Sequence, residues 1–250
     1  MRFLECLSVI PVALCLPIHA QIAEPISTKT AIPFAPGSGG LKLDYAGGIG
    51  ESGGGSQIIP EATLEAGVGR GLETFTRFPL LRVTSASGSS FIAGGQLAVG
   101  ARYLVASGTE NAYALAVQTI VEAPTGNSRL ENATQVMPGL LADWRPASPI
   151  VVHTNLMFDH SIGGAGPTLA FFEYSNAVVW LATAHFVPVL EFVGSTNTTT
   201  GRTQLIEQPE VILRTGPHFE FKAGLSFGLN SQTPHLGLRG QVDWFWGGRR

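Results

Sequence analysis

Two-residue alternation, held for ten residues or more and repeated along the chain, leaves few folds open. In 219–230, Phe219, Phe221, Ala223, Leu225, Phe227 and Leu229 alternate with Glu220, Lys222, Gly224, Ser226, Gly228 and Asn230. Successive side chains of a β-strand point to opposite faces, so this stretch makes one apolar and one polar face. The same sorting appears at 96–105, where Leu97, Val99, Ala101, Tyr103 and Val105 oppose Gln96, Ala98, Gly100, Arg102 and Leu104. It appears again at 236–246, where Gly237, Arg239, Gln241 and Asp243 share the polar side. No long segment keeps apolar residues at i, i+3, i+4 and i+7, which argues against a helical domain. The question is which solvent each face meets. In a soluble sheet the apolar face looks into a core, whereas in an outer-membrane barrel it looks into lipid and the polar face looks inward.

Strand length and composition favour lipid. Alternating runs fall at 61–69, 73–84, 91–105, 111–123, 133–144, 150–162, 168–181, 185–194, 203–214, 219–230 and 235–246, with a shorter one at 41–46. Bacterial single-chain barrels close on an even number of strands. The 41–46 run therefore completes a set of twelve, with ten as the alternative. Most runs exceed the ~5–6 residues of soluble strands and reach the ~9–11 of a tilted membrane strand. Asp, Glu, Lys and Arg make up only 13% of the 250 residues, about half the ~25% of soluble domains. Connections also alternate between short and longer, as between the periplasmic and outer ends of such barrels. The expected fold is all-β, an antiparallel up-and-down transmembrane β-barrel at 61–250. Trp144, Trp180, Trp244 and Trp246, near strand ends, suit an interfacial aromatic girdle.

The first twenty residues read as a cleaved signal peptide, with Arg2, an apolar stretch over 3–17 and Ala20 ahead of a cut before Gln21. Both cysteines, Cys6 and Cys15, fall in this segment, so the processed chain would have none. Later in the chain no stretch reaches the 18 consecutive apolar residues of a spanning helix. Residues 21–60, rich in Gly, Pro and Ser, read as a mobile leader and loop around a first strand at 41–46. A net charge of −3, without any basic run, gives no footing for nucleic acid.

Several short pieces follow one another in an order that resembles a known family. They are Glu65-Ala66-Gly67-Val68-Gly69-Arg70, Arg102-Tyr103, Ala123-Pro124-Thr125-Gly126, Val152-His153-Thr154-Asn155-Leu156 and Val189-Leu190-Glu191-Phe192-Val193-Gly194. The chain resembles the outer-membrane barrel family of transporters named for the phenol meta-degradation pathway, over 61–246. That resemblance implies location in the outer membrane of a Gram-negative bacterium and uptake of small hydrophobic or aromatic compounds.

On the expected facing, Glu65, Arg77, Arg102, His153, Asn155, Asp159, Glu191, Glu210, Arg214, Glu220, Lys222, Arg239 and Asp243 line the lumen, with Glu61, Glu73, Glu122, Asp143 and Glu173 on the same side. Phe219, Phe221, Leu225, Phe227, Leu229, Trp244 and Trp246 face lipid. Mixed inward charge either pairs across strands and fills the lumen or lines a narrow polar pore. His153, Asn155 and Asp159 share a face and invite an acid–base or metal reading. Asp159-His160-Ser161, however, cannot form a triad along one strand, because its members alternate faces. Gly67-Val68-Gly69-Arg70-Gly71 lacks the following helix of a dinucleotide site.

The reading is a passive channel or transporter with no cofactor, metal or catalytic residue. Its partners would be outer-membrane lipid, the barrel-assembly machinery and small aromatic or hydrophobic solutes. A plugged structural barrel, a lipid hydrolase and a soluble periplasmic β-sandwich are the competing readings.

Overall fold

The computed structural model describes residues 23–49, 55–84, 90–109, 112–125, 133–163 and 170–247. The expected signal segment, 1–20, lies outside them. Thirteen strands are present among the described residues: β1 (Gly39–Ile49), β2 (Gly55–Gly69), β3 (Leu72–Thr84), β4 (Ser90–Gly94), β5 (Leu97–Ser107), β6 (Tyr113–Ala123), β7 (Thr134–Ala147), β8 (Ile150–Ile162), β9 (Ala170–Trp180), β10 (Phe186–Asn197), β11 (Thr203–Thr215), β12 (Phe219–Gly228) and β13 (Leu236–Trp246). Each pairs antiparallel with its neighbour, and β1 also pairs with β13 from Gly39↔Trp246 to Ile49↔Leu236. That last ladder closes the sheet into a barrel, and among the described residues only the short β4 is paired on one side alone.

Twelve positions run around the barrel, because β4 and β5 together occupy one. The sequence reads 91–105 as a single strand, yet β3 pairs with β5 only as far as Arg77↔Ala98 and with β4 from Leu80↔Gly94. Pro79 lies at the gap. It has no N–H to give the ladder, and its carbonyl instead accepts from the Gly95 amide at 2.8 Å. Gly71 and Gly216 supply positive φ in two of the tight turns. The short connections lie at the end that also carries Gly39 and Trp246, which is the periplasmic end by the barrel rule.

The 21–60 stretch differs from its sequence reading. Strand β1 is longer than 41–46, β2 begins at Gly55 rather than at 61, and the barrel therefore starts at Gly39. Residues 23–38 are not a loose leader. They run inside the barrel, where Ala23, Glu24, Ile26, Thr28, Thr30, Ala31 and Phe34 are all buried. Small inward side chains make the room. Ala31 packs with Ala114, Ala116 and Leu141, and Ala23 packs with Val151, Ala177, Val179, Val187, Val189 and Ile212.

Outside, the apolar face is exposed all round. Phe219, Phe221, Leu225, Phe227, Leu229 and Trp244 are exposed on that surface, and Trp246 is half-buried against Trp244, ring centroids 5.7 Å apart. A continuous belt of exposed Leu, Val, Phe and Trp on a closed barrel suits hydrocarbon as its solvent.

Candidate functional site

The inward faces hold the luminal segment mainly by its backbone. Four wall carboxylates accept from its amides. Glu210 accepts from Ile26 N at 3.3 Å, Glu191 from Ser27 N at 3.2 Å and Thr28 N at 2.6 Å, Asp143 from Ala31 N at 3.0 Å, and Glu73 from Phe34 N at 2.8 Å. Gln208 Nε2 donates to Glu191 at 2.6 Å and to Glu210 at 3.3 Å, which ties those two acceptors together. Asn155, with its amide oriented to serve both groups, donates to the Lys29 carbonyl at 3.0 Å and accepts from the Lys29 amide at 3.1 Å. Hydrogen bonds to ionised groups contribute about 1.5–3 kcal/mol each, so this set competes well with hydration of a loose peptide.

Cations complete the holding network. Lys42, 1% exposed, bridges Glu24 of the segment and Glu65 of β2, the latter at 2.9 Å. Arg102, also 1% exposed, donates to the Thr30 carbonyl at 2.6 Å and reaches Glu73 at 3.5 Å. His153 is fully buried, with Nδ1 2.7 Å from Asp143 and Nε2 3.1 Å from the Ala23 carbonyl. Arg239 donates to Ser27 Oγ. Away from the segment, Arg214 pairs with Glu220 at 3.0 Å and Lys222 with Asp243 at 2.8 Å.

The segment is an inverted U. It enters near Val151 and Val187, turns at Ser27–Lys29 and returns to the start of β1, where Pro36 bridges Gly67. Gly67 N donates to the Ser38 carbonyl at 2.9 Å, and the Gly67 carbonyl accepts from Gly37 N at 3.0 Å. Above the turn, toward the longer connections, lies a cup of about 330 Å³. Ser27 and Lys29 form its floor, and Glu61, Arg77, Glu122, Asp159 and Glu173 stand around its upper wall. Arg77 donates to Glu122 and lies 3.8 Å from Glu61. Phe75, Ile120, Met137 and Met157 give the wall an apolar side. The Lys29 ammonium lies 3.5 Å from Glu24.

The sequence candidates thus fall into three groups. Arg77 and Asp159 line the cup. Glu65, Arg102, His153, Asn155, Glu191, Glu210 and Arg239 hold the luminal segment or the residues bonded to it. Arg214, Glu220, Lys222 and Asp243 pair with one another across β11–β13. Asp159 and Ser161 are buried inward, whereas His160 stacks on Phe158. Sequence reasoning missed Glu24, Lys29, Thr30 and Lys42, and the apolar half of the cup. Alternation does mark Phe75, Ile120, Met137 and Met157 as inward, since Phe75, Ile120 and Met157 share parity with a charged neighbour two residues away and Met137 with Gln135.

No protein-family model matches the chain, and no curated protein matches it in sequence. Solved structures do match in shape. The COG4313 outer membrane channel from Pseudomonas putida F1 aligns at a TM-score of 0.66 and 11% identity, over 90% of this chain and 100% of that one. The KdgM porin aligns at 0.57 and 9% identity, over 81% and 98%. The translocator domain of the autotransporter NalP from Neisseria meningitidis aligns at 0.52 and 12% identity, over 84% and 87%. With a sealed twelve-position ladder, a lipid-ready outer surface and these fold relatives, the chain is a β-barrel of the bacterial outer membrane.

Proposed function

We propose that the barrel is a passive channel for small hydrophobic or aromatic solutes, which the 23–38 segment narrows from the periplasmic side. The observation that carries this reading is the cup, a cavity of about 330 Å³ with an apolar side and a floor supplied by Ser27 and Lys29 of the luminal segment rather than by a strand. A cavity of this size and mixed lining suits a one-ring solute. Outer-membrane lipid and the barrel-assembly machinery are its other partners in this reading.

The density of bonds to the luminal segment favours a second reading, a plugged structural barrel without transport. Planar-bilayer recording on the folded protein, beside a variant lacking residues 23–36, separates the two. The channel reading expects small conductance steps from the intact chain and larger ones from the deletion. Silence from both variants, each shown to be folded by heat-modifiable migration, would leave only the structural barrel.

A further inference from the structure

The lining of the cup is divided by chemistry. On one side Ile120 and Met137 are buried, and Phe75 and Met157 spread over glycines. A Cβ on Gly100 would sit 2.3 Å from the Phe75 ring, and one on Gly139 would sit 1.9 Å from the Met157 sulfur. Both side chains are therefore laid flat on the wall, which leaves the lumen beside them open. Around the upper wall stand four carboxylates, Glu61, Glu122, Asp159 and Glu173, against the single guanidinium of Arg77. That guanidinium reaches Glu61 and Glu122 on its own side of the barrel. Glu173, on β9, has no cation within ion-pair distance among the described residues.

An independent feature marks the same space as a binding site. Thr63 and Ser175, 6% and 8% exposed, face the cup and have no hydrogen-bond partner among the described residues. Both oxygens open into the cup rather than being sealed in the wall, so their hydrogen-bonding capacity is available to a ligand there. Both oxygens can accept from a donor placed in the cup. The floor already shows the type of group the cup tolerates, since Lys29 presents a primary ammonium there beside Glu24.

From these features we infer that the cup binds a small organic cation, an apolar one-ring body carrying a protonated amine. The body lies on Phe75, Ile120, Met137 and Met157, and the ammonium lies toward Glu173 and Glu122, with Ser175, two residues along β9 from Glu173, accepting from one of its N–H groups. A carboxylate ligand meets like charge on the upper wall, and a neutral alcohol forgoes the ion pairing. Selection therefore works by repulsion as well as attraction. This inference rests on the channel reading and narrows its solute class.

Three probes of nearly one shape test it: benzylamine, benzyl alcohol and benzoate, titrated calorimetrically at neutral pH into the detergent-solubilised full-length barrel. The expected order is benzylamine about tenfold tighter than benzyl alcohol, a gap that one ion pair supplies, with benzoate weakest. Glu173→Gln should bring the amine within about threefold of the alcohol and leave the alcohol unchanged. Equal binding of amine and alcohol to the wild-type protein overturns the cation assignment while sparing the aromatic channel. Failure of all three to bind overturns both. The wild-type series decides the matter even if the variant does not assemble.

Discussion

Asp143 and His153 face each other across the β7–β8 ladder with Oδ1 and Nδ1 2.7 Å apart, and together they grip both limbs of the luminal segment. Asp143 takes the returning limb through Thr30 Oγ1 at 2.5 Å and Ala31 N, while His153 takes the entering limb through the Ala23 carbonyl. Both partners of the imidazole are acceptors, so the ring serves both at once only when doubly protonated. His153, which invites an acid–base reading from the sequence, is occupied with Asp143 in holding a peptide.

Asp143→Asn should loosen the segment without opening the barrel. The substitution removes charge from three bonds, each in the range of about 1.5–3 kcal/mol. Thr28, fully buried at the turn, is a good reporter when made Thr28→Cys, because the chain has no cysteine beyond residue 15. Labelling by a bulky maleimide should be several-fold faster in the Asp143→Asn background. An unchanged rate would show that this carboxylate does not hold the turn.

Gly67→Ala should dislodge the returning limb. A Cβ there would lie 2.2 Å from the Ala35 carbonyl oxygen and 2.4 Å from that of Phe34. Both are backbone atoms and cannot swing aside as a side-chain end could. Conductance should rise toward that of the 23–36 deletion while heat-modifiable migration persists. Wild-type conductance would mean that the limb shifts without leaving.

Lys42→Met should be among the most damaging single changes in the wall. It leaves Glu24 and Glu65 buried without their shared cation, a situation that costs about 3–5 kcal/mol. The denaturant midpoint for unfolding from detergent should fall clearly. Adding Glu24→Gln and Glu65→Gln should recover much of the loss, since the charges that need pairing are then gone. No recovery would place the defect in packing of the lysine stem instead.

Leu225→Arg and Ser226→Arg, one residue apart, should behave oppositely. Leu225 is 45% exposed on the outer surface, and Ser226 is half-buried on the inward side beside Gly237. An arginine on the lipid face costs about 2–4 kcal/mol near the midplane. The first variant should therefore fail to reach the outer-membrane fraction, and the second should arrive and narrow the lumen. Equal recovery of both would contradict the assigned faces.

Much of the architecture could be read from alternation alone. In 219–230 each residue's face follows from its parity, and Glu220 and Lys222 are buried while Phe219 and Phe221 are exposed. The broken strand at Gly95–Gln96 was hidden, because the proline that interrupts the ladder lies on β3, across the sheet rather than in the run itself. Residues 23–38 were hidden more deeply. They have no periodicity, and their Pro, Ser, Thr and Gly content matches that of a solvated linker.

The chain's own pattern determined a strand-built barrel with charge turned inward, because a period of two sorts side chains onto faces wherever the strand is placed. Only the closed structure decided what those inward charges do. Glu73, Asp143, Glu191 and Glu210 come from four separate strands, and their spacing around a peptide arises from register and closure, not from any local run. A segment with no periodicity of its own is held there because the wall meets its backbone donors one after another, away from competing water.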